Sequence, residues 1–300
     1  MTLHKESRTI AEQIDLLKSR GLLIRDEQQA AFYLNHISYY RLKGYWWDMQ
    51  ADTLNHIFAP NSYFEDVIAR YHFDRQLRLI LFDAIELIEI ALRTKLIYHL
   101  SQAYGGLWYL NDDIVTDKYI YQDLLNDLQT EFTRSRENFA KEFRRKHYNE
   151  NPDVWIMFEV ATLGTLSKIY SNLKHQLPQK SIITNEFGLN SINDLSSWLA
   201  AISYMRNAIA HHSRIFGSNI LKRPALPKST RNQWLQFKTT KAQEKKPFVV
   251  ISTIIYLCNA IDPNNGIKNK LLSLFQDYPN IPIYKLGFFN NWQQEKLWTL

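Results

Sequence analysis

The sequence predicts an all-α fold, a helical bundle, on three observations. Glycine supplies only 9 of the 300 residues, far below the usual ~7%, which argues against turn-rich β architectures. No proline lies between Pro60 and Pro152, a gap that suits long helices because proline breaks them. Within that gap Ile68, Tyr71, Leu77, Leu81, Ile85, Ile88, Leu92 and Leu96 recur at helical spacing. Hydrophobic residues make up 45% of the chain and charged residues 22%, the balance of a globular protein rather than a disordered one.

Thr9 to Arg20 reads as an amphipathic helix (Ile10, Ile14, Leu17) stopped by Gly21. Asp26 is a candidate N-cap for a second helix, Glu27 to Ile37. Two helices joined by a short turn fit either a nucleic-acid-binding module or a packing appendage, and the bland reading is favoured because the pattern is not diagnostic. These elements make a small helical N-terminal region, residues 1–60. Phe64 to Ser101 lacks both proline and glycine, and its centre, AIELIEIALRTKLIYHL, is apolar on more than one side, as a central bundle helix is. Gly105-Gly106 separates it from a second long helix, Tyr121 to Lys146. Trp155 to Leu173, and a helix capped by Asp194, complete a bundle over residues 61–216. Residues 217–247 hold three prolines and read as a long basic loop. Phe248 to Phe275 is helical again, and the tail from Tyr278 to Trp292 reads as an aromatic strap folded back on the body.

Charge is uneven. The net charge is +6, yet Lys222, Arg223, Lys228, Arg231, Lys238, Lys241, Lys245 and Lys246 face a single acid, Glu244, over that stretch. A second basic cluster joins Arg134, Arg136, Lys141, Arg144, Arg145 and Lys146. Such clusters attract polyanions, RNA or DNA first; the alternative is a solvated loop and a solvated helix face. Neither G-x-x-x-x-G-K nor G-x-G-x-x-G occurs, which removes the commonest nucleotide-binding loops. The single cysteine, Cys258, excludes an internal disulfide and a multi-cysteine zinc site and fits a reducing compartment. The first residues carry no apolar signal segment, and the stretch from Phe248 to Ile261 is too short to span a bilayer. A soluble cytoplasmic protein is expected, with no membrane partner.

One segment carries chemistry: LSSWLAAISYMRNAIAHHSRIF, Leu195 to Phe216. On a helical wheel Leu195, Trp198, Ile202, Met205 and Ile209 form a core face. Ser203, Asn207, His211 and Arg214 cluster opposite, within about 80°. Arg206 and His212 flank the two borders. A histidine near neutral pKa shuttles protons. An arginine pairs with phosphate oxygens and stabilises the extra charge of a transition state. An asparagine orients either one. These are the means of cleaving RNA without a metal, since the ribose 2′-hydroxyl is itself the nucleophile. The spacing R-x4-H alone is expected roughly 0.5 times by chance in such a chain. Arg93 and His99 form an R-x5-H pair that reads as a surface accident. On one helix Arg206 and His211 lie about 140° apart and converge poorly, unless arginine's length compensates or two copies face each other. The adjacent pair His211-His212 is a poor metal site because neighbours point to different sides.

The longer word RNAIAHHSRIF, Arg206 to Phe216, is more specific than the spacing. It resembles the signature of abortive-infection proteins of the AbiD/AbiF type, assigned to the HEPN superfamily. YYRLKGYW (Tyr39 to Trp46), FDRQLRLILFDAIELIEIALRT (Phe73 to Thr94), WYL (Trp108 to Leu110) and EVATLGTLSKIYSNL (Glu159 to Leu173) agree in order. The resemblance implies an all-α HEPN bundle with an R-x4-6-H ribonuclease motif, needing no cofactor or metal. Arg206 and His211 would then be the catalytic pair and Asn207 a polar helper, with Ser203, His212 and Arg214 in support. It also implies a homodimer that brings two motifs into one cleft, and RNA as partner, both as substrate and as a non-coding antitoxin. The family often has a small residue or cysteine where Ala208 and Ile209 stand, and a tryptophan where Phe216 stands.

Two further patterns stay open. Tyr39, Tyr40, Arg41, Lys43, Tyr45, Trp46 and Trp47 interleave rings and cations, as a base-stacking platform does, although burial of so many rings is favoured. Glu86 and Glu89, with Arg93, form either a surface i,i+4 pair, the favoured reading, or a buried carboxylate or arginine facing the catalytic helix.

Overall fold

The computed structural model describes residues 6–237 and 239–299. Among them the chain forms twelve α-helices and one short hairpin, so the fold is all-α. Backbone contacts divide it into two compact units.

The first unit comprises residues 6–79, 214–216 and 271–282. Its first helix, α1 (Ile10–Ser19), opens on a capping box. The Thr9 hydroxyl accepts from the Glu12 amide at 3.3 Å, and the Glu12 carboxylate accepts from the Thr9 amide at 2.7 Å, satisfying two otherwise orphaned donors. The helix ends in a Schellman turn, with Gly21 donating to the Lys18 carbonyl and Leu22 to that of Leu17. Gly21 sits at φ +89°, a conformation that side chains disfavour. Asp26 caps α2 (Glu27–Ile37) through the Gln29 amide at 2.9 Å. Then come α3 (Tyr39–Trp46) and an antiparallel hairpin, β1 (Gln50–Asp52) with β2 (Ile57–Phe58). The hairpin is absent from the sequence reading because strands of three and two residues are too short to show alternation. Leu17, Leu34, Leu42, Trp46, Phe64 and Phe73 are buried. The Phe73 ring meets Phe216, Phe275 and Tyr278 at 5.8 to 6.2 Å.

Asp74 lies at the heart of this unit with no exposed surface. It sits near the start of α4 (Phe64–Tyr104). One carboxylate oxygen accepts from the Ile215 and Phe216 amides, at 3.0 and 2.6 Å. The other accepts from the Tyr45 hydroxyl at 2.7 Å and from the Arg78 guanidinium one turn along. Burial pushes the Asp74 pKa up, opposed by Arg78, Tyr45 and the two amides. Burial and the Asp74 charge in turn hold the Tyr45 phenol protonated.

The second unit comprises residues 80–213, 217–270 and 283–299. It contains the rest of α4, then α5 (Lys118–Arg134), α6 (Asn138–Lys146), α7 (Val154–Met157), α8 (Leu163–Asn172), α9 (Pro178–Glu186), α10 (Ile192–Ala210) and α11 (Pro247–Ile261). The last helix, α12 (Ile267–Asp277), begins in this unit and passes to the first. Here several expected helices are interrupted. Tyr121 to Lys146 breaks at Ser135, because the Arg144 side chain takes up the Phe132 and Ser135 carbonyls that end α5. Trp155 to Leu173 breaks at Thr162, whose hydroxyl caps α8 by accepting from the Thr165 amide at 3.3 Å. Phe248 to Phe275 breaks at Asp262-Pro263, since proline cannot continue α11.

Every residue of α11 from Phe248 to Cys258 is buried, and α10 packs against α8, α9 and α11. The Cys258 thiol is pushed up to about 12 by burial. Lys180 is buried too: its ammonium donates to the Ser171 and Leu173 carbonyls at the end of α8, at 3.0 and 2.6 Å, and burial lowers its pKa to about 8. The tail is the aromatic strap that the sequence suggested. Phe288 and Trp298 lie on Phe248 at 4.8 and 6.0 Å, with Trp292 against both.

Removing the Asp74 carboxylate leaves the Arg78 charge and two backbone amides buried without their partner. Asp74→Ala should therefore cost about 3–5 kcal/mol, a large share of an ordinary folding free energy. Urea denaturation measures it; a loss below about 1 kcal/mol would show that the carboxylate is not holding this unit together.

Candidate active site

The helix that carries the signature starts earlier than expected. Ser191, not Asp194, is the N-cap of α10: its hydroxyl accepts from the Asp194 amide at 3.2 Å. Leu195, Trp198, Ile202, Met205 and Ile209 are all buried, so the core face is as read. Ser203 is half-buried against α8, where a Cβ on Gly164 would lie 3.3 Å from its hydroxyl. Arg206 is half-buried and Asn207 exposed.

The helix also ends earlier. Its last residue is Ala210, and His211 is the C-cap. His211 donates its amide to the Asn207 carbonyl at 3.0 Å, His212 to Ile209 at 2.9 Å and Ser213 to Ala208 at 2.8 Å. This is the Schellman pattern that ends α1, with His212 at φ +56° in the left-handed position that Gly21 holds there. The wheel therefore places His212 and Arg214 wrongly: both lie beyond the helix, whereas His211 caps it. Arg206 and His211 keep about the 140° separation of the wheel, because His211 still makes the helical bond to the Asn207 carbonyl and the chain turns only after it, at His212; both histidines are exposed.

Arg214 is a fold residue. Within the first unit its guanidinium donates to the Gly44 carbonyl on α3 and lies over the Tyr45 ring at 5.8 Å. Gly44 leaves room for it, since a Cβ there would sit 3.4 Å from Arg214 Nε.

Arg206 lines a cleft of about 380 Å³ with Phe82, Glu86, Glu89, Ile90 and Arg93 of α4. The Glu89–Arg93 pair is the i,i+4 pair, half-buried, and not a buried lone charge. The two side chains meet at 3.3 Å, and they share a cleft with the signature arginine. Arg93 also donates to the Ala161 carbonyl at 3.0 Å, while its buried Nε has no hydrogen-bond partner. No ion pair engages Arg206 or His211 among the described residues. The other R-x5-H pair is consumed: Arg93 as above, and His99 by Glu186 at 3.0 Å.

Of the basic loop, Lys222, Arg223, Lys228, Arg231, Lys241 and Lys245 are exposed and Lys246 is half-buried, while Lys238 lies outside the described residues. The loop is not a free solvated strand. The Ala225 amide donates to the Ser197 hydroxyl at 2.9 Å, and the Trp198 indole donates to the Ala225 carbonyl at 2.8 Å. Further along, Ile220 donates its amide to the Lys245 carbonyl at 2.6 Å. The aromatic run in α3 is mixed: Tyr45 and Trp46 are buried, Tyr40 and Trp47 exposed, and Lys43 lies over Trp47 at 5.5 Å. Among the described residues no three His, Cys, Asp or Glu side chains are grouped to hold a metal, and no helix is long and apolar enough to cross a membrane.

A non-glycine residue in the left-handed region costs about 1–2 kcal/mol, although histidine tolerates it better than most. His212→Gly should raise the unfolding free energy by about 1 kcal/mol, and His212→Val should lower it by a similar amount. Denaturation curves of the two variants check this; equal stabilities would show that the turn carries no strain.

The sequence matches the family described as Abi-like protein over residues 32–217. No curated protein and no solved structure matches it. The family match runs from α2 through α10 to the residue after Phe216, more than half of the chain, and so the protein belongs to the Abi-like family of abortive-infection proteins.

Proposed function

We propose that this protein is a toxin-like, metal-independent endoribonuclease that acts in the bacterial cytoplasm in phage defence by abortive infection. One observation carries the reading: an arginine in a cleft wall and an exposed histidine one turn on, neither held in an ion pair among the described residues. Both are uncommitted and close in sequence, as a site that must grip a phosphate and move a proton requires.

In this mechanism His211 takes the proton of a ribose 2′-hydroxyl, and the 2′-oxygen attacks phosphorus as the P–O5′ bond breaks. Arg206 pairs with the non-bridging oxygens, and Asn207 orients one of the two. The leaving 5′-oxygen needs a proton from an acid, which the protonated histidine of a second motif supplies. A homodimer of the kind that the HEPN resemblance implies provides that motif. The products carry a 2′,3′-cyclic phosphate and a 5′-hydroxyl.

His211→Ala should lower cleavage of total bacterial RNA by about 10²–10⁴-fold with EDTA present, leaving RNA affinity unchanged. Product-end mapping decides the chemistry: 5′-phosphate ends made only with magnesium would sink the mechanism.

The exposed basic loop favours a second reading, a non-catalytic RNA-binding or phage-sensing protein complexed with a non-coding RNA antitoxin. Here His211→Ala would keep the phenotype in cells. In either reading RNA affinity falls with salt. Replacing Lys222, Arg223, Lys241 and Lys245 by glutamine should shrink the log–log salt slope by up to about 0.7 per lost contact with single strands. An unchanged slope would place the RNA elsewhere.

A further inference from the structure

The basic loop contains one place that is built as a binding site. Residues 227–236 curl around a groove of about 430 Å³, closed on one side by Lys296. That volume lies in the range of small-molecule pockets. Its cations are Lys228, Arg231 and Lys296, and no carboxylate lines it. The nearest acid in sequence, Glu295, is already occupied by the Gln236 amide at 2.6 Å and that of Phe237 at 3.3 Å. Elsewhere in this unit cations meet acids: Lys95 with Glu186, Lys118 with Asp112, Lys146 with Glu142, Lys270 with Asp83. Among the described residues none of the three groove cations does so.

The groove is held open by its backbone. Thr230 bridges to Leu189, and the Arg231 amide donates to the Gly188 carbonyl at 2.9 Å. The Tyr256 hydroxyl donates to that same carbonyl and accepts from the Asn232 amide at 3.1 Å. Gly188 is required here: at φ +77° a Cβ would lie 2.7 Å from the Asn232 side chain and 3.0 Å from the Tyr256 hydroxyl. Trp234 lines the groove and rests on Trp198 at 4.7 Å and on Tyr256 at 5.6 Å. It is half-buried. Anchored rings of this kind stack on nucleobases, and three uncompensated cations beside hydroxyls and amides hold phosphate.

We infer that this groove is a second site, separate from the signature motif, that binds one nucleoside monophosphate unit, its phosphate on Lys228, Arg231 and Lys296 and its base on Trp234. The unit comes either from a free nucleotide or from a strand of RNA. The RNA source rests on the functional reading above; the site itself does not.

Isothermal titration of the full-length protein tests it, with 5′-AMP, adenosine, inorganic phosphate and a 2′-O-methyl RNA pentamer as probes. AMP should bind, adenosine and phosphate each more weakly. Arg231→Ala should weaken AMP at least about tenfold, as loss of a charge-assisted pair does. The double variant Lys228→Glu, Lys296→Glu should abolish it, with circular dichroism unchanged. AMP that binds no better than adenosine, or equally to both variants, overturns the proposal. If the pentamer binds wild type and Arg231→Ala alike while AMP is silent, the groove falls and the RNA reading stands. If AMP binds and the pentamer does not, the groove stands with a free nucleotide and the RNA reading falls.

Discussion

A single buried carboxylate organises the first unit. Asp74 spends both oxygens on four donors drawn from three stretches of chain: Tyr45 of α3, Arg78 of α4, and the amides of Ile215 and Phe216. An ionised group deprived of water is tolerable only when its lone pairs are met this fully. The requirement works in reverse as well. Two backbone amides that emerge from an irregular segment would be stranded in an apolar interior without an acceptor. The carboxylate, the guanidinium and the loop are thus mutually necessary, and Phe73, next to Asp74, packs its ring on Phe216 in the same place.

The signature word is therefore two devices joined end to end. Its first part, Arg206 to His212, is half-buried or exposed at its polar positions. Its last part, Arg214 to Phe216, is committed to structure through Gly44, Tyr45 and Asp74. The join is the left-handed turn at His212. A string of similar-looking polar residues thus divides by the partners that the fold gives each one.

Much of this was legible. Whereas the stop of α11 at Pro263 was read through, the all-α class, α1, α2 and the long α4 follow from periodicity and punctuation, because each stop there is marked by glycine or a capping side chain. The end of α10 was not legible for the same reason: the turn that Gly21 announces at α1 is made by a histidine at α10. The break between α5 and α6 was hidden because no glycine or proline marks it and the Arg144 side chain, nine to twelve residues on, satisfies the carbonyls that end the helix. Of the site, the Glu89–Arg93 pair was visible as spacing on α4, whereas the cleft it shares with Arg206 was not. The groove around Arg231 was not, since its walls depend on Gly188 and Tyr256, which no local pattern links to it. The eight-residue basic set looked uniform as a sequence, whereas the anchored backbone separates the groove cations from the others.

The discontinuity of the first unit bears on how the protein is made. Its pieces are residues 6–79, 214–216 and 271–282. During synthesis the N-terminal helices leave the ribosome long before the amides that Asp74 must meet, which arrive 141 and 142 positions later. Until then the carboxylate, Arg78 and the surrounding rings have no finished interior to enter. The second unit has most of its residues in hand first, whereas contacts of such sequence separation form slowly. A nascent or truncated chain that ends before residue 271 therefore lacks the piece that closes the first unit, which is completed only once residues 271–282 have been made.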